Sequence, residues 1–148
     1  MAKKIEQLDL FSTMYEPYKI AKPIRLIELF GGIGSQAKAL ERLNADFERY
    51  KLVEWAIPSI KAYASIHEGW RNERATGYSL EQLVAMTDGI SSDYNKPLTE
   101  EQRKKIGQDK LAEIVGAMQA CHDMHPDISK IKGEDLEIER ERASTVIL

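Results

Sequence analysis

The strongest constraint in this sequence lies in residues 25–37, where a short apolar run meets a cluster of glycines and then a helical pattern. Leu26, Ile27, Leu29 and Phe30 form a run bounded by glycines, the pattern of a buried strand. Gly31-Gly32-Ile33-Gly34 forces a tight turn, and Ser35 is placed to cap a helix with Ala37, Leu40 and Leu43 at helical spacing and Asn44 as its stop. A second strand is expected over 47–53, ending in Glu54-Trp55. Pro58 suits the first turn of a second helix, where a missing amide is harmless. Ile57, Ile60, Tyr63 or Ala64, and His67 would form its inward stripe. Strand, helix, strand, helix predicts an α/β fold with a parallel sheet and right-handed crossovers.

Residues 69–125 differ in character and read as a helical insertion, not as a second domain. Ser79 with Gln82, and Thr99 with Gln102, each fit a capping box that opens a helix. The second of these helices is expected over 100–121, with Ile106, Leu111, Ile114, Val115 and Met118 on one side. Gly107 and Gly116 weaken it, each by about 1 kcal/mol against alanine. Asp88-Gly89 and residues 91–97 make a loop between the helices. Beyond the insertion, 128–131 is a short strand candidate, 133–142 a charged connection, and 145–148 a further strand.

At 148 residues, 43% hydrophobic and 30% charged, the chain suits one soluble domain. Its net charge of -3 gives no support to DNA binding by the whole surface, since phosphate binding calls for clustered Lys and Arg. The N-terminus has no long apolar segment, and no window is long and apolar enough for a membrane span, so a cytoplasmic location is expected. Cys121 is the one cysteine, which excludes an internal disulfide. Cys121 and His125 have helical i, i+4 spacing, but two ligands are too few for a structural zinc site, and no metal is expected. His122 and His125 read as surface polar residues.

A strand ending in a glycine turn and opening a helix suits a cofactor. Glycines let the backbone pass close to a ligand, and the helix start offers unpaired amides. An acid at the end of the next strand can accept from ribose hydroxyls, and Glu54 stands 20 residues after Gly34. Two cofactor classes compete. Gly32-Ile33-Gly34-Ser35-Gln36-Ala37 fits the G-x-G-x-x-A form of the dinucleotide fingerprint, which would make this a small NAD-binding Rossmann domain.

The flanking residues favour the other class. Ile27-Glu28-Leu29-Phe30-Gly31-Gly32-Ile33-Gly34 resembles the first motif of the DNA cytosine-5 methyltransferases, with Glu28 where Asp is usual and Ser35 where Gly is usual. Val53-Glu54-Trp55, followed by a helix with Lys61-Ala62-Tyr63, resembles the second motif. Asp127-Ile128-Ser129-Lys130-Ile131 resembles the third. A turn-forming Asp127 after Pro126, and a core Trp55, are the plainer readings of those two residues. The resemblance covers about 24–67 and 126–148, leaving 1–23 as a tail and 24–148 as a partial methyltransferase domain.

The resemblance implies a partial doubly wound, Rossmann-like sheet of about four parallel strands in the order 3-2-1-4. It implies a site for S-adenosylmethionine built from Phe30, Gly31, Gly32, Ile33 and Gly34, from Glu54 on the ribose, and from Trp55, Asp127 and Ile128 at the adenine. In the family a cysteine thiolate of a Pro-Cys-Gln loop attacks a flipped cytosine, in DNA methylation or restriction-modification. That tripeptide does not occur among these residues, and Cys121 precedes the third motif, so no catalytic residue is assigned and the chain alone is expected to be inactive. A split-enzyme subunit and a truncated product both fit, the first with a complementary C-terminal subunit or self-association as partner and DNA bound only by the completed enzyme. A non-catalytic binding module with a methyltransferase half-fold is the competing class. Finally, Gln7-Leu8-Asp9-Leu10-Phe11 resembles the peptide by which bacterial proteins dock onto the sliding clamp, with Gln7, Leu8, Leu10 and Phe11 as contacts; the plainer reading packs its apolar residues on the domain.

Overall fold

Strand β1 (Ile24–Glu28) has Ile24, Leu26 and Ile27 buried, so both of its faces are covered and its sequence reads as a run instead of an alternation. This computed structural model describes residues 22–138 and 144–147, the last four by their backbone. The peptide at 7–11 lies outside the described residues. In chain order β1 is followed by α1 (Ser35–Arg42), β2 (Phe47–Val53), α2 (Ile57–His67), α3 (Leu80–Met86), α4 (Glu100–Ile106), α5 (Gln108–Ala120), β3 (Met124–His125) and β4 (Ser144–Ile147). The architecture is mixed α/β around a parallel sheet whose strands neighbour one another as β3-β2-β1-β4. β1 pairs with β2 from Ile24 opposite Phe47, with a register shift between Leu26 and Ile27 that brings Glu28 opposite Leu52.

Local chemistry sets the helix ends. Pro58 lies in the first turn of α2, as its missing amide favours. Asn44 follows α1 in the left-handed conformation, at φ 50°, and its amide donates to the Glu41 carbonyl, a common helix stop. Both capping boxes form in full: Ser79 and Gln82 open α3, and Thr99 and Gln102 open α4, each satisfying two helix-end amides reciprocally. One expectation fails here. The N-cap of α1 is Gly34, not Ser35, and no side chain among the described residues caps this helix.

Two further expectations are corrected. The helix expected over 100–121 is two helices, because Gly107 takes φ 89° and ψ 154° and turns the chain between α4 and α5. The strand expected over 128–131 is a 3-10 turn, Ile128–Lys130, and the strand in that region is β3, just before Pro126. Proline cannot donate to a ladder, and Asp127 then accepts the Ser129 amide and curls the chain.

The helices of 69–125 do not stand apart from the sheet domain. Ile60, Tyr63 and Ala64 of α2, Leu83 and Val84 of α3, and Leu111 and Val115 of α5 share one buried cluster with Leu52 of β2. Trp70 closes it, its indole donating to the Glu73 carbonyl at 2.9 Å. Segment 73–75 lies directly on α5, where the Ala75 amide donates to the Ala112 carbonyl. A β-carbon at Gly116 would fall 2.0 Å from the Glu73 carbonyl oxygen. Glycine is required there by the neighbouring backbone. Gly116→Ala should therefore destabilise the protein by about 1–3 kcal/mol through overpacking, against the usual gain of about 1 kcal/mol for alanine inside a helix. Urea unfolding monitored by circular dichroism checks the sign, and a stabilised variant would contradict the packing described.

Candidate functional site

The turn after β1 is wedged between β2 and α2. A β-carbon on Gly31 would lie 2.1 Å from the Leu52 side chain, and one on Gly34 2.2 Å from the His67 ring and 2.9 Å from Tyr63. Gly34 also sits at φ 79°, a conformation that side chains disfavour. The Gly31 amide donates to the Val53 carbonyl at 3.1 Å, and the His67 Nε2 lies 3.0 Å from the Ile33 carbonyl. Gly31 and Gly34 thus serve close packing of the turn on its own scaffold, whereas Gly32 is required by its φ of 53°.

Glu54 completes this junction. It is 8% exposed, and its two carboxylate oxygens accept different backbone amides: Oε2 from Gly32 at 2.7 Å and Oε1 from Ala56 at 2.8 Å. Hydrogen bonds to a charged acceptor contribute about 1.5–3 kcal/mol each. One side chain therefore joins the glycine turn to the start of α2. Each oxygen keeps a further lone-pair direction for a ligand.

Beyond the carboxyl ends of β1, β2 and β3 opens a cleft of about 600 Å³. Of the residues expected at a cofactor site, the structure brings Phe30, Glu54, Trp55, Asp127 and Ile128 together on its walls. Gly31, Gly32, Ile33 and Gly34 do not line it. Phe30 is 73% exposed and Ile128 is also exposed, so the cleft presents apolar side chains to solvent beside a carboxylate. Asp127 uses one oxygen to accept the Ser129 amide at 2.9 Å and hydroxyl at 2.6 Å, and these bonds hold its carboxyl below the usual carboxylate range. Two lining residues, Tyr94 and Pro97, come from the loop between α3 and α4. Sequence reasoning missed both, because a loop tyrosine carries no signal of what it faces.

Other titratable groups fall outside this cleft. Cys121 ends α5, buried, with its thiol pushed up to about 12 by burial, which suits a core position and not a nucleophile. Cys121 and His125 do not share a helix, since His125 lies in β3. His122 is exposed, whereas His125 is half-buried, with Nε2 3.3 Å from Asp123. Among the described residues no three His, Cys, Asp or Glu side chains gather as metal ligands.

Beneath the turn, Glu28 is 1% exposed; its Oε2 accepts the Tyr63 hydroxyl at 2.6 Å, while its Oε1 has no hydrogen-bond partner among the described residues. Burial pushes the Glu28 carboxyl above its usual range, outweighing the bond from Tyr63. A raised carboxyl favours the protonated folded state, so its contribution to stability is present at low pH and lost as pH rises through the folded value. Glu28→Gln keeps an acceptor for Tyr63 and removes the buried charge. It should stabilise the protein at pH 8, with the gain shrinking toward pH 4. Thermal unfolding of both proteins across this range checks it; an equal difference at both ends would contradict it.

No family model and no solved structure matches the chain. A curated protein does: the orphan methyltransferase M.SssI of Spiroplasma monobiae, 31% identical over 101 residues, which is 66% of this chain and 26% of that protein. The chain therefore spans about a quarter of the length of the relative it matches. Taken with Phe30 of the first-motif segment, the Glu54-Trp55 pair and the Asp127 segment, which lie together around one cleft, this match relates the chain, over part of its length, to the DNA cytosine methyltransferase family.

Proposed function

We propose that the cleft binds the adenosyl part of S-adenosylmethionine, and that the chain is the cofactor-binding portion of a DNA cytosine-5 methyltransferase. The observation that carries this reading is the convergence of Phe30, Glu54, Trp55 and Asp127 on one cleft at the carboxyl ends of the strands. Ligands of open parallel α/β sheets bind in that place, beside the strand where the order reverses, and here β1 lies between β2 and β4.

The residues present suit an adenosyl group. The ring of Trp55 and the exposed Phe30 offer flat apolar surface to a purine, and Ile128 adds an aliphatic wall. The spare lone pairs of Glu54 can accept from ribose hydroxyls while its amide bonds keep the carboxylate fixed. The carboxyl of Asp127, held anionic by Ser129, can accept from an exocyclic amine. Bound there, the cofactor would supply an activated methyl group. This chain's part is to bind and orient it. The described cysteine is buried and held as a thiol, so we assign it no part in methyl transfer, and DNA enters this reading as a partner of the completed enzyme only.

Calorimetry tests the reading. S-adenosylhomocysteine should bind in one-to-one stoichiometry and NAD should not, and Glu54→Gln, which cannot accept both amides and a ribose hydroxyl, should weaken binding by about 1.5–3 kcal/mol. A preference for NAD would contradict the assignment of cofactor. In a separate assay with labelled S-adenosylmethionine, the purified chain should leave no label on cytosine in DNA; label at carbon 5 would overturn the division of labour proposed.

A further inference from the structure

Resting on the adenosyl reading above, we infer that Tyr94 is a base-contacting residue, supplied by the 69–125 segment, that closes the aromatic end of the cleft. Tyr94 lines the same cleft as Phe30 and Trp55 and is 55% exposed, a large ring left in solvent at the tip of a loop. Its backbone sits at φ 64°, in the left-handed region that bulky residues seldom enter. Such a conformation persists only where the surroundings impose it.

Here they do. Ser91, fully buried, donates its amide to the Trp55 carbonyl at 2.7 Å, and its own carbonyl accepts the Ile57 amide at 2.9 Å. The loop is therefore stitched to the backbone on both sides of Ala56. Asp93 then accepts the Asn95 amide at 3.1 Å, which closes a turn with Tyr94 at its apex. At the far end of the ring, the Tyr94 and Ser59 hydroxyls lie 3.2 Å apart, and Ser59 is a buried residue of α2. The ring is thus held at its backbone and at its hydroxyl while one side remains open to the cleft. A ring fixed in this way loses little freedom when a flat ligand stacks on it. The register that binds the loop to the backbone beside Trp55 fixes the spacing of the two aromatic residues.

The conformation also supplies a clean variant. Glycine accepts φ 64° without strain, so Tyr94→Gly removes the ring while easing the backbone. Calorimetry would compare wild type, Tyr94→Gly and Tyr94→Phe with two probes, S-adenosylhomocysteine and 5'-methylthioadenosine, which keeps the nucleoside and lacks the amino acid. The inference expects Tyr94→Gly to lose about tenfold or more in affinity for both probes, a typical cost of removing one base-stacking ring. It expects Tyr94→Phe to stay within about threefold of wild type, retaining most of the stacking while losing the bond to Ser59. The melting temperature of Tyr94→Gly should stay near that of wild type, since the eased backbone offsets the lost Ser59 bond, and that of Tyr94→Phe should fall slightly. If wild type binds neither probe, the cofactor reading falls and this inference with it. If wild type binds both and Tyr94→Gly binds them equally well, this inference alone is overturned. A loss confined to S-adenosylhomocysteine, or an equal loss in Tyr94→Phe, would overturn it too, by placing the effect at the amino acid end or in the hydroxyl.

Discussion

The carboxylate of Glu54, accepting the Gly32 amide on one oxygen and the Ala56 amide on the other, is the contact on which the arrangement of this protein turns. It joins three things that the chain separates: the glycine turn after β1, the end of β2 and the first residues of α2. A carboxylate buried to 8% exposure is costly without partners, and two short amide bonds offset that cost. The same bonds hold Phe30 on one rim of the cleft and Trp55 on another, since each lies within two residues of an anchored position. A group that organises the site in this way is also the best-placed acceptor within it.

The segment between the second and third motifs is bound to that arrangement at several points. Its helices share a core with α2, and Gly116 lets α5 lie against the backbone at Glu73. Ser91 pairs with the backbone around Trp55, and a β-carbon on Gly89 would come within 2.7 Å of that of Asp127. Asp88 reaches Lys130 across the same contact, while Arg103, buried, bonds to Asp88 at 3.0 Å and to the Leu98 carbonyl at 2.6 Å. The segment therefore braces both the Trp55 and the Asp127 sides of the cleft, through packing and charge that no motif describes.

Much of this was legible in the sequence where the signal is local. The apolar run into glycines, Pro58 in the first turn of α2, and the Ser79 and Thr99 capping boxes each specify their own structure. What misled was tertiary. Gly116 scores as a weak point in a helix by propensity, yet it is required by the backbone packed against it. Gly107 reads the same way and instead divides the helix, because its φ of 89° redirects the chain. Residues 128–131 look like a strand until Pro126 and the Asp127 side chain are counted together. Within the site, Gly31 and Gly34 face their scaffold and the side chains of Phe30, Glu54, Trp55 and Asp127 line the cleft, which a motif reading does not separate. Tyr94 became visible only when the loop carrying it was seen stitched to Trp55.

The central claim is that Glu54 organises a cleft for an adenosyl group. A crystal structure of the chain with S-adenosylhomocysteine tests it most directly. The account predicts the purine in contact with the Trp55 ring, the ribose hydroxyls on Glu54, and the Gly32 and Ala56 amides still bonded to that same carboxylate. A ligand seated elsewhere, or one in the cleft that leaves Glu54 untouched, would contradict it.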